Sequence, residues 1–251
     1  MSDFIQITIT STAGSAPRDA GATMTVWEDG QTGTIGGGAL EWEATHTARR
    51  MLKSEQYTLS RTMLLGPGLG QCCGGSVTLD WALNAAEVTP VAAPLWVWGA
   101  GHVGRAIVAV MAPLPDYEIT WVDTTQARFP EVIPEGVTSV PASEMARLAQ
   151  HAPDAANHLI LTYSHEIDLA LCDALLRRGF ASAGLIGSAT KWARFRGRLS
   201  KLGHTHEQIS RIACPIGQPE LGKHPHAIAV GVAAALLGQA DVAIRQGETA
   251  G

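Results

Sequence analysis

Residues 95–104 read LWVWGAGHVG, and this stretch decides the fold of the second half of the chain. Its first four residues form a short apolar run, which predicts a buried β-strand. Residues 103–111 follow with the apolar period of an α-helix. The glycine-rich turn between them fits G-x-G-x-x-G, so the sequence predicts a strand, a tight turn and a helix of the nucleotide-binding kind.

Five residues mark the ligand side of this unit. Gly99 supplies the unusual dihedrals of the turn, Gly101 lets the backbone approach a ligand, and Gly104 lets the helix pack closely on the strand. His102 lies between the second and third glycines of the motif, and Asp123 ends the next apolar run, about 20 residues further on as such folds require. We therefore expect all five at a cofactor-binding site.

Strands and helices alternate from this unit to the end of the chain. Candidate strands lie at 95–98, 119–122, 137–140, 158–162 and 182–186, and candidate helices at 103–111, 143–150, 166–178, 189–202, 205–212 and 225–239. The alternation predicts a parallel sheet with helices on both faces. Ligands on such sheets bind at the carboxyl ends of the strands.

Polar residues cluster at those predicted ends. Ser164, His165 and Asp168 follow the fourth strand, and Ser188 and Lys191 follow the fifth. Ser164 and Asp168 are typical of helix caps, whereas His165 fits a base, a ligand or a cap.

A basic stripe begins in the helix after Ser188. It comprises Lys191, Arg194, Arg198 and Lys201. Such a stripe is either a solvated helix face or a surface that meets an anionic ligand or partner.

The first half of the chain predicts an α+β domain with mixed or antiparallel strands. Candidate strands lie at 4–10, 23–27, 31–35, 57–65 and 76–83, around a helix at 39–52. Gly36, Gly37 and Gly38 precede this helix. Backbone N–H groups and the positive end of the helix dipole make such a run a natural phosphate cradle, although a plain tight turn also explains it.

A second glycine-rich loop carries two adjacent cysteines. Gln71, Cys72 and Cys73 lie among five glycines between residues 66 and 75. Such a loop favours access over packing, and nearby N–H groups favour the thiolate, which binds metals or attacks sulfur. We therefore interpret both thiols as functional rather than as small residues that fill a turn.

Two further cysteines lie in the second half. Cys172 belongs to an apolar helical pattern and is predicted to be a core residue. Cys214 lies in a proline-containing loop, where a buried thiol and a ligand contact both fit. No C-x-x-C pair exists, which argues against a structural zinc site.

Composition and charge exclude several kinds of protein. A chain of 251 residues, 46% of them hydrophobic, can form two domains, which we place at 1–84 and 95–251 with a proline-containing linker at 85–94.

The net charge of −5 argues against nucleic-acid or membrane-surface binding. The longest apolar stretch, 227–237, is too short to span a bilayer. Because the amino terminus also lacks a signal-peptide pattern, we expect a cytoplasmic protein.

Together the motifs resemble the XdhC/CoxI family, the xanthine dehydrogenase accessory proteins, over nearly the whole chain. The resemblance rests on residues 14–18 (GSAPR), 33–41 (GTIGGGALE), 70–75 (GQCCGG), 99–104, 121–123, 164–168, 184–191 and 214–217. The GQCCGG and GSAPR pieces are the most specific. The chain departs from the family pattern at Thr125, Tyr163 and Glu220, where arginine, histidine and glycine are usual.

The resemblance implies a chaperone of the molybdenum cofactor, molybdopterin. Such a protein holds the cofactor while a cysteine desulfurase replaces an oxo ligand on molybdenum with sulfide, and then delivers it to a xanthine dehydrogenase-type molybdenum hydroxylase. It performs no turnover of its own, and a homodimer is compatible with the role. The implied metal contacts are Cys72 and Cys73. The implied cofactor contacts are Gly36, Gly37, Gly38, Gln71, Gly99, Gly101, His102, Gly104, Asp123, Ser164, His165, Ser188 and Lys191.

A second class of function stays open from the residues alone. An NAD(P)-dependent oxidoreductase would use residues 99–104 and Asp123. Against it, the sequence shows no convincing substrate base beside a second pocket. A nucleotide at the Rossmann-like edge is compatible with either function.

Overall fold

A computed structural model describes residues 3–54, 56–66, 74–85 and 92–248, without the side chains of 239–248. The chain divides into two compact units, Met1–Val88 and Thr89–Gly251. The predicted linker at 85–94 stays a prediction, because residues 86–91 lie outside the described ranges.

In its described residues, the first unit contains five antiparallel strands and one helix. Its elements are β1 (Ile5–Ala13), β2 (Thr23–Val26), β3 (Gln31–Gly33), α1 (Gly38–Met51), β4 (Thr58–Leu64) and β5 (Ser76–Leu83). The strand order is β3-β2-β1-β5-β4, with every pairing antiparallel. The predicted α+β architecture of this half is therefore confirmed.

Alternation along the strands builds the core of this unit. Ile5, Ile7 and Ile9 of β1 are fully buried together with Leu40 of α1. Trp81 of β5 lies in the same core, and its indole N–H donates to the carbonyl oxygen of Ala44 in α1 over 3.1 Å. This bond ties the helix to the middle of the sheet, because a buried indole N–H needs a partner.

Six parallel strands lie in the part of the second unit that the structure describes, residues 92–248. They are β6 (Ala93–Trp98), β7 (Tyr117–Asp123), β8 (Val137–Pro141), β9 (Asn157–Ile160), β10 (Ser182–Leu185) and β11 (Ile212–Ala213). The order in the sheet is β11-β10-β9-β6-β7-β8, and every pairing is parallel. From β6 the chain adds β7 and β8 on one side of the sheet. It then adds β9, β10 and β11 on the other side, as in a Rossmann fold.

Helices cover both faces of this parallel sheet, as predicted. Their bounds are α2 (His102–Met111), α3 (Met145–Leu148), α4 (His165–Arg178), α5 (Ala189–Lys201), α6 (His206–Ser210) and α7 (Pro225–Glu248). Leu95 and Val97 of β6 share a core with α2 and α7, and Trp96 and Trp98 share the opposite core with α3 to α6. Cys172 of α4 is 0% exposed in the second core, which confirms its prediction as a packing residue.

The sequence misassigned β11. The helix predicted at 205–212 ends at Ser210, and Ile212 pairs instead with Ala183 of β10. Thr205 and Gln208 form the predicted capping box, so the start of the helix is locally encoded. Its end is decided by the sheet edge, which buries Ile212. Within the described residues, no helix is long and apolar enough to cross a bilayer.

Candidate functional site

The strand order of the second unit creates a crevice between the carboxyl ends of β6 and β9. These strands are neighbours, yet their following loops lead to α2 on one face and α4 on the other. Ligands of open α/β sheets bind at such a reversal point. The turn at 99–101 and the loop at 161–164 therefore border the candidate site.

Two glycines of the turn are required by the protein's own packing. Gly99 has a φ of 124°, and a Cβ there would lie 2.5 Å from the carbonyl oxygen of Leu161. A Cβ at Gly104 would overlap the carbonyl oxygen of Gly99. By contrast, a Cβ at Gly101 would meet no atom within 4 Å. The open space predicted for backbone approach to a ligand is therefore present at Gly101.

Asp123 is committed to the protein itself. Its side chain is 1% exposed, and one oxygen accepts the N–H of Ala100 over 2.6 Å. The other oxygen accepts the N–H of Thr124 over 2.6 Å and lies 2.6 Å from Nε of Arg128. The carboxylate thus fixes the glycine-rich turn and holds an arginine at the crevice.

A cavity of about 510 Å³ opens beside this turn. Gly101, His102, Arg105, Arg128 and Tyr163 line it, with two alanines. The guanidinium of Arg128 lies 4.1 Å from the centre of the Tyr163 ring, and that of Arg105 donates to the carbonyl oxygen of Arg128 over 2.8 Å. The sequence analysis did not single out the two arginines, and it named Tyr163 only as a departure from the family pattern. Arg105 directly follows the last glycine of the motif, which was the available signal.

The polar residues after β9 and β10 mostly serve the protein's own helices. Ser164 caps α4 by accepting the N–H of Glu166 over 3.2 Å, as predicted. Ser188 caps α5 by accepting the N–H of Lys191 over 3.2 Å. His165 is exposed at the first position of α4. Whether these residues contact a cofactor stays a prediction.

Asp168 and Lys191 form a buried ion pair. The sequence had predicted a helix cap for Asp168 and a place in a basic stripe for Lys191. Asp168 is not a cap, because its oxygen Oδ1 accepts the N–H of Thr162 over 3.1 Å and Oδ2 lies 2.6 Å from Nζ of Lys191. Lys191 is not part of a solvated stripe, because its side chain is 11% exposed and Nζ also donates to the carbonyl oxygen of Ile186. The pair joins the loop after β9 to the loop after β10.

Cys214 lies near this ion pair. Its thiol is half-buried, and burial raises its pKa, which Lys191 opposes. Burial likewise raises the pKa of the Cys172 thiol. Both thiols therefore favour the protonated form, which is a poor metal ligand. Among the described residues, no group of three metal-ligating side chains comes together.

In the first unit, Glu41 occupies part of the predicted phosphate cradle. Its carboxylate accepts the N–H groups of Ile35 and Gly37, each over 3.1 Å, and the hydroxyl of Thr34 over 2.6 Å. Gly36 is needed for packing, because a Cβ there would lie 2.5 Å from the ring of Pro17. Of this turn, Gly37 is the position at which a Cβ would meet nothing within 4 Å.

Gly38 begins α1, and the acid that anchors the turn was missed by the sequence-based prediction. Glu41 lies in the first turn of the helix, where a carboxylate interacts favourably with the N-terminus. This position in the sequence could have indicated that Glu41 anchors the turn. The glycine run thus combines an internal anion with one open backbone position.

We predict that Glu41 stabilises the first unit in a pH-dependent way. Burial alone would raise its pKa, but hydrogen bonds from Thr34, Gly37, Ile35 and Gln31 outweigh this and lower the pKa from 4.5. The stabilisation is therefore complete above about pH 4.5, the unfolded value, and is lost as the pH falls through the lower folded value. Glu41→Gln should lower the urea midpoint at pH 7 and converge with the parent protein at low pH.

Glu43→Gln is the matched control, because it lies on the same helix and forms no hydrogen bond or ion pair with the described residues. It should leave the midpoint nearly unchanged at every pH. A Glu41→Gln midpoint equal to that of the parent protein at pH 7 would contradict the assigned role.

The described residues beside the cysteine loop meet the two other motifs of the first unit. Leu65 and Gly75 close the loop, since Leu65 donates its N–H to the Gly75 carbonyl oxygen over 2.8 Å. Ser15 forms a β-bridge with Gly74. The segment that contains Ser15 also holds Pro17, which packs on Gly36. The GSAPR segment therefore contacts both the glycine run and the end of the cysteine loop.

Gln71, Cys72 and Cys73 themselves lie outside the described residues. Their predicted roles as cofactor or metal contacts remain predictions.

The fold and crevice define an antiparallel α+β domain followed by a Rossmann-type binding domain. A family model described as the XdhC Rossmann domain matches residues 95–236, and one described as the XdhC and CoxI family matches residues 2–62. The chain belongs to the XdhC family, as its motifs indicated. This membership suggests a role in xanthine dehydrogenase maturation.

Two relatives illustrate this placement. The uncharacterized protein YqeB of Escherichia coli (strain K12) is 28% identical over 239 residues, which cover 93% of this chain and 43% of that protein. The chain thus spans less than half the length of this curated relative. A Bacillus halodurans protein described as a xanthine dehydrogenase has a crystal structure that matches with a TM-score of 0.76 and 17% identity, over 94% of this chain and 91% of that one. This likeness confirms the fold.

Proposed function

We propose that the protein is a molybdenum-cofactor chaperone. It holds molybdopterin while a cysteine desulfurase sulfurates the molybdenum, and it then delivers the cofactor to a xanthine dehydrogenase-type molybdenum hydroxylase. The cofactor is cargo, and the protein itself catalyses no turnover. We also propose that the protein carries out this role in the cytoplasm.

The observation that carries this proposal is the meeting of three motifs in the first unit. The GSAPR segment contacts Gly36 of the glycine run and, through Ser15, Gly74 at the end of the cysteine loop. One region therefore gathers the glycine run, which leaves open space at Gly37, and the flanks of a loop with two thiols. The N–H groups of Ile35 and Gly37 already bind Glu41, and that of Gly36 binds Thr34. The support for cofactor binding therefore comes from the loop side of this region, where soft thiolates suit the metal centre.

The oxidoreductase alternative loses its main support. A Rossmann domain that uses NAD presents an acid to the ribose hydroxyls. Here Asp123 is 1% exposed and bonded to Ala100, Thr124 and Arg128. A ribose would have to displace these partners before it could reach the carboxylate.

We predict that the cysteine loop is required for cargo binding and not for folding. A serine hydroxyl is harder than a thiol and stays protonated at neutral pH, so Cys72→Ser or Cys73→Ser should remove a soft ligand. Substitutions at solvent-exposed positions usually alter stability by less than about 1 kcal/mol, and the glycine-rich sequence around the two cysteines leads us to expect such positions. We expect the melting temperature to stay constant while cofactor binding and transfer of active cofactor to apo-hydroxylase fall sharply.

Cys214→Ser is the control for this experiment, because it makes the same chemical change in the second unit, away from the three motifs that carry the proposal. It should transfer cofactor normally. Binding is measured as molybdenum and oxidised pterin retained after desalting. If the double variant Cys72→Ser/Cys73→Ser retains and transfers cofactor at the normal rate, the assigned role of the loop is wrong.

A further inference from the structure

A cavity of about 370 Å³ lies in the second unit between the parallel sheet and α7. Its floor is formed by side chains of β9 and α7, where Leu159, Val232 and Leu236 are each no more than 5% exposed. At its rim, Ala213 and Ala235 are exposed. The cavity is therefore an opening from solvent into the apolar core, and not a closed packing void.

Small residues on β10 and β11 leave this space beside α7. Ala183 of β10 belongs to the core on the opposite face of the sheet, so its neighbours Ser182 and Gly184 face α7. Ala213 of β11 faces the same side. Parallel sheets usually carry large apolar side chains on both faces. Here a Cβ at Gly184 would already overlap the side chain of Ile216, so the strand cannot fill the space itself.

One cationic side chain, that of Arg211, lines the cavity. Its Nη2 donates to the carbonyl oxygen of Phe180 over 2.7 Å, and its central carbon lies 4.5 Å from the centre of the Phe180 ring. These two contacts hold the guanidinium in place. No carboxylate of the described residues forms an ion pair with it. Because a guanidinium carries five N–H donors, several of them are available to an anion.

The rest of the lining is almost entirely apolar. Ser182 is the other polar residue, and its hydroxyl donates to Oδ1 of Asn157 over 2.7 Å. The remaining lining residues are apolar or glycine, and no acidic residue of the described chain is among them. Arg211 and Phe180 precede β11 and β10, so they lie at the amino edge of the sheet. The crevice beside the glycine-rich turn lies at the opposite, carboxyl edge.

We propose that this cavity binds an aliphatic carboxylate of medium chain length. The chain fills the space between β10 and α7, and the carboxylate accepts two N–H groups of Arg211. The cavity volume falls within the range of small-molecule sites, about 300–1,000 Å³. A nucleotide does not fit this lining, because its many polar groups would be buried against residues that offer no partner.

Calorimetric titration of the full chain with butanoate, hexanoate and octanoate tests this proposal, with octan-1-ol and octylammonium as uncharged and cationic controls. The affinity should rise about fourfold for each buried CH₂ group, or about fifteenfold from hexanoate to octanoate. Octanoate should bind at least about tenfold more tightly than octan-1-ol, which lacks the charge-assisted hydrogen bonds. Octylammonium should bind more weakly still, because the guanidinium repels it.

Variants assign the charge and the chain to their parts of the cavity. Arg211→Gln should remove the preference for octanoate over octan-1-ol, and Arg211→Lys should keep part of it because it keeps the charge. Ala235→Leu should fill the rim and abolish octanoate binding. Ala234→Leu is the matched control, since Ala234 is exposed on α7 and does not line the cavity. Melting temperatures without ligand confirm that each variant is folded.

Three results would overturn the proposal. Absence of saturable octanoate binding excludes the site. Equal affinities for octanoate and octan-1-ol, or an unchanged preference in Arg211→Gln, exclude recognition of the carboxylate. Octanoate binding that survives Ala235→Leu places the ligand elsewhere. If octanoate fails to bind and Ala235→Leu instead converts a dimer into a monomer, the cavity is an interface between two copies of the chain.

Discussion

Asp168→Asn should destabilise the second unit by about 3–5 kcal/mol, because it leaves the ammonium of Lys191 buried without its counter-charge. Asparagine keeps an oxygen for the N–H of Thr162, so the loss reports the charge and not that hydrogen bond. Lys191 would retain the carbonyl oxygen of Ile186 and the ring of Phe195, whose centre lies 5.3 Å from Nζ, but no counter-charge. The measurement is the shift of the urea unfolding transition, followed by the buried tryptophans of the parallel sheet.

Two further variants distinguish an unpaired charge from lost packing. Lys191→Met should destabilise the unit to a similar extent, since it leaves the fully buried carboxylate of Asp168 without a counter-charge. The double variant Asp168→Asn/Lys191→Met should recover much of the loss, because no isolated charge remains. As a control for ion pairs in general, Arg147→Gln breaks the exposed pair with Glu144 and should cost less than about 1 kcal/mol. Additive losses in the double variant would contradict this account.

Gly104→Ala is the other substitution that we expect to lower the stability of the second unit strongly. The new Cβ would overlap the carbonyl oxygen of Gly99 and crowd Leu161, so α2 must move away from β6. Forced overpacking of this kind costs about 1–3 kcal/mol, and more where backbone has to shift. Thermal unfolding should show a clearly lowered transition for this unit.

Gly101→Ala is the matched change within the same turn. A Cβ at this position meets no atom within 4 Å, and φ is −73°, which alanine adopts freely. Loss of stability should stay below about 1 kcal/mol, the usual range for a cap position. The methyl group would nevertheless fill space at the cavity beside the turn. If Gly101→Ala destabilised the protein as much as Gly104→Ala, the distinction between packing and open positions would be wrong.

Much of the fold follows from patterns that are local in the sequence. The apolar run at 95–98, the glycine-rich turn and the following period of 3.6 residues predicted β6 and α2 within a few residues. Ser164 and the pair Thr205–Gln208 predicted helix starts, because a cap bonds to N–H groups only two or three residues away. Each of these features depends on neighbours along the chain.

The candidate sites depend instead on which loops the folded sheets bring together. Asp168 and Lys191 meet because β9 and β10 are adjacent in the sheet, so that the loops after them meet at one edge. Asp123 turns away from the crevice because the N–H of Ala100, at the end of a neighbouring strand, competes for its carboxylate. No periodicity encodes such contacts, since they form between side chains and backbone that are distant in sequence. The sequence alone therefore determined the strand–turn–helix units and the family, and the tertiary structure decided which charges are paired internally and which remain available to a ligand.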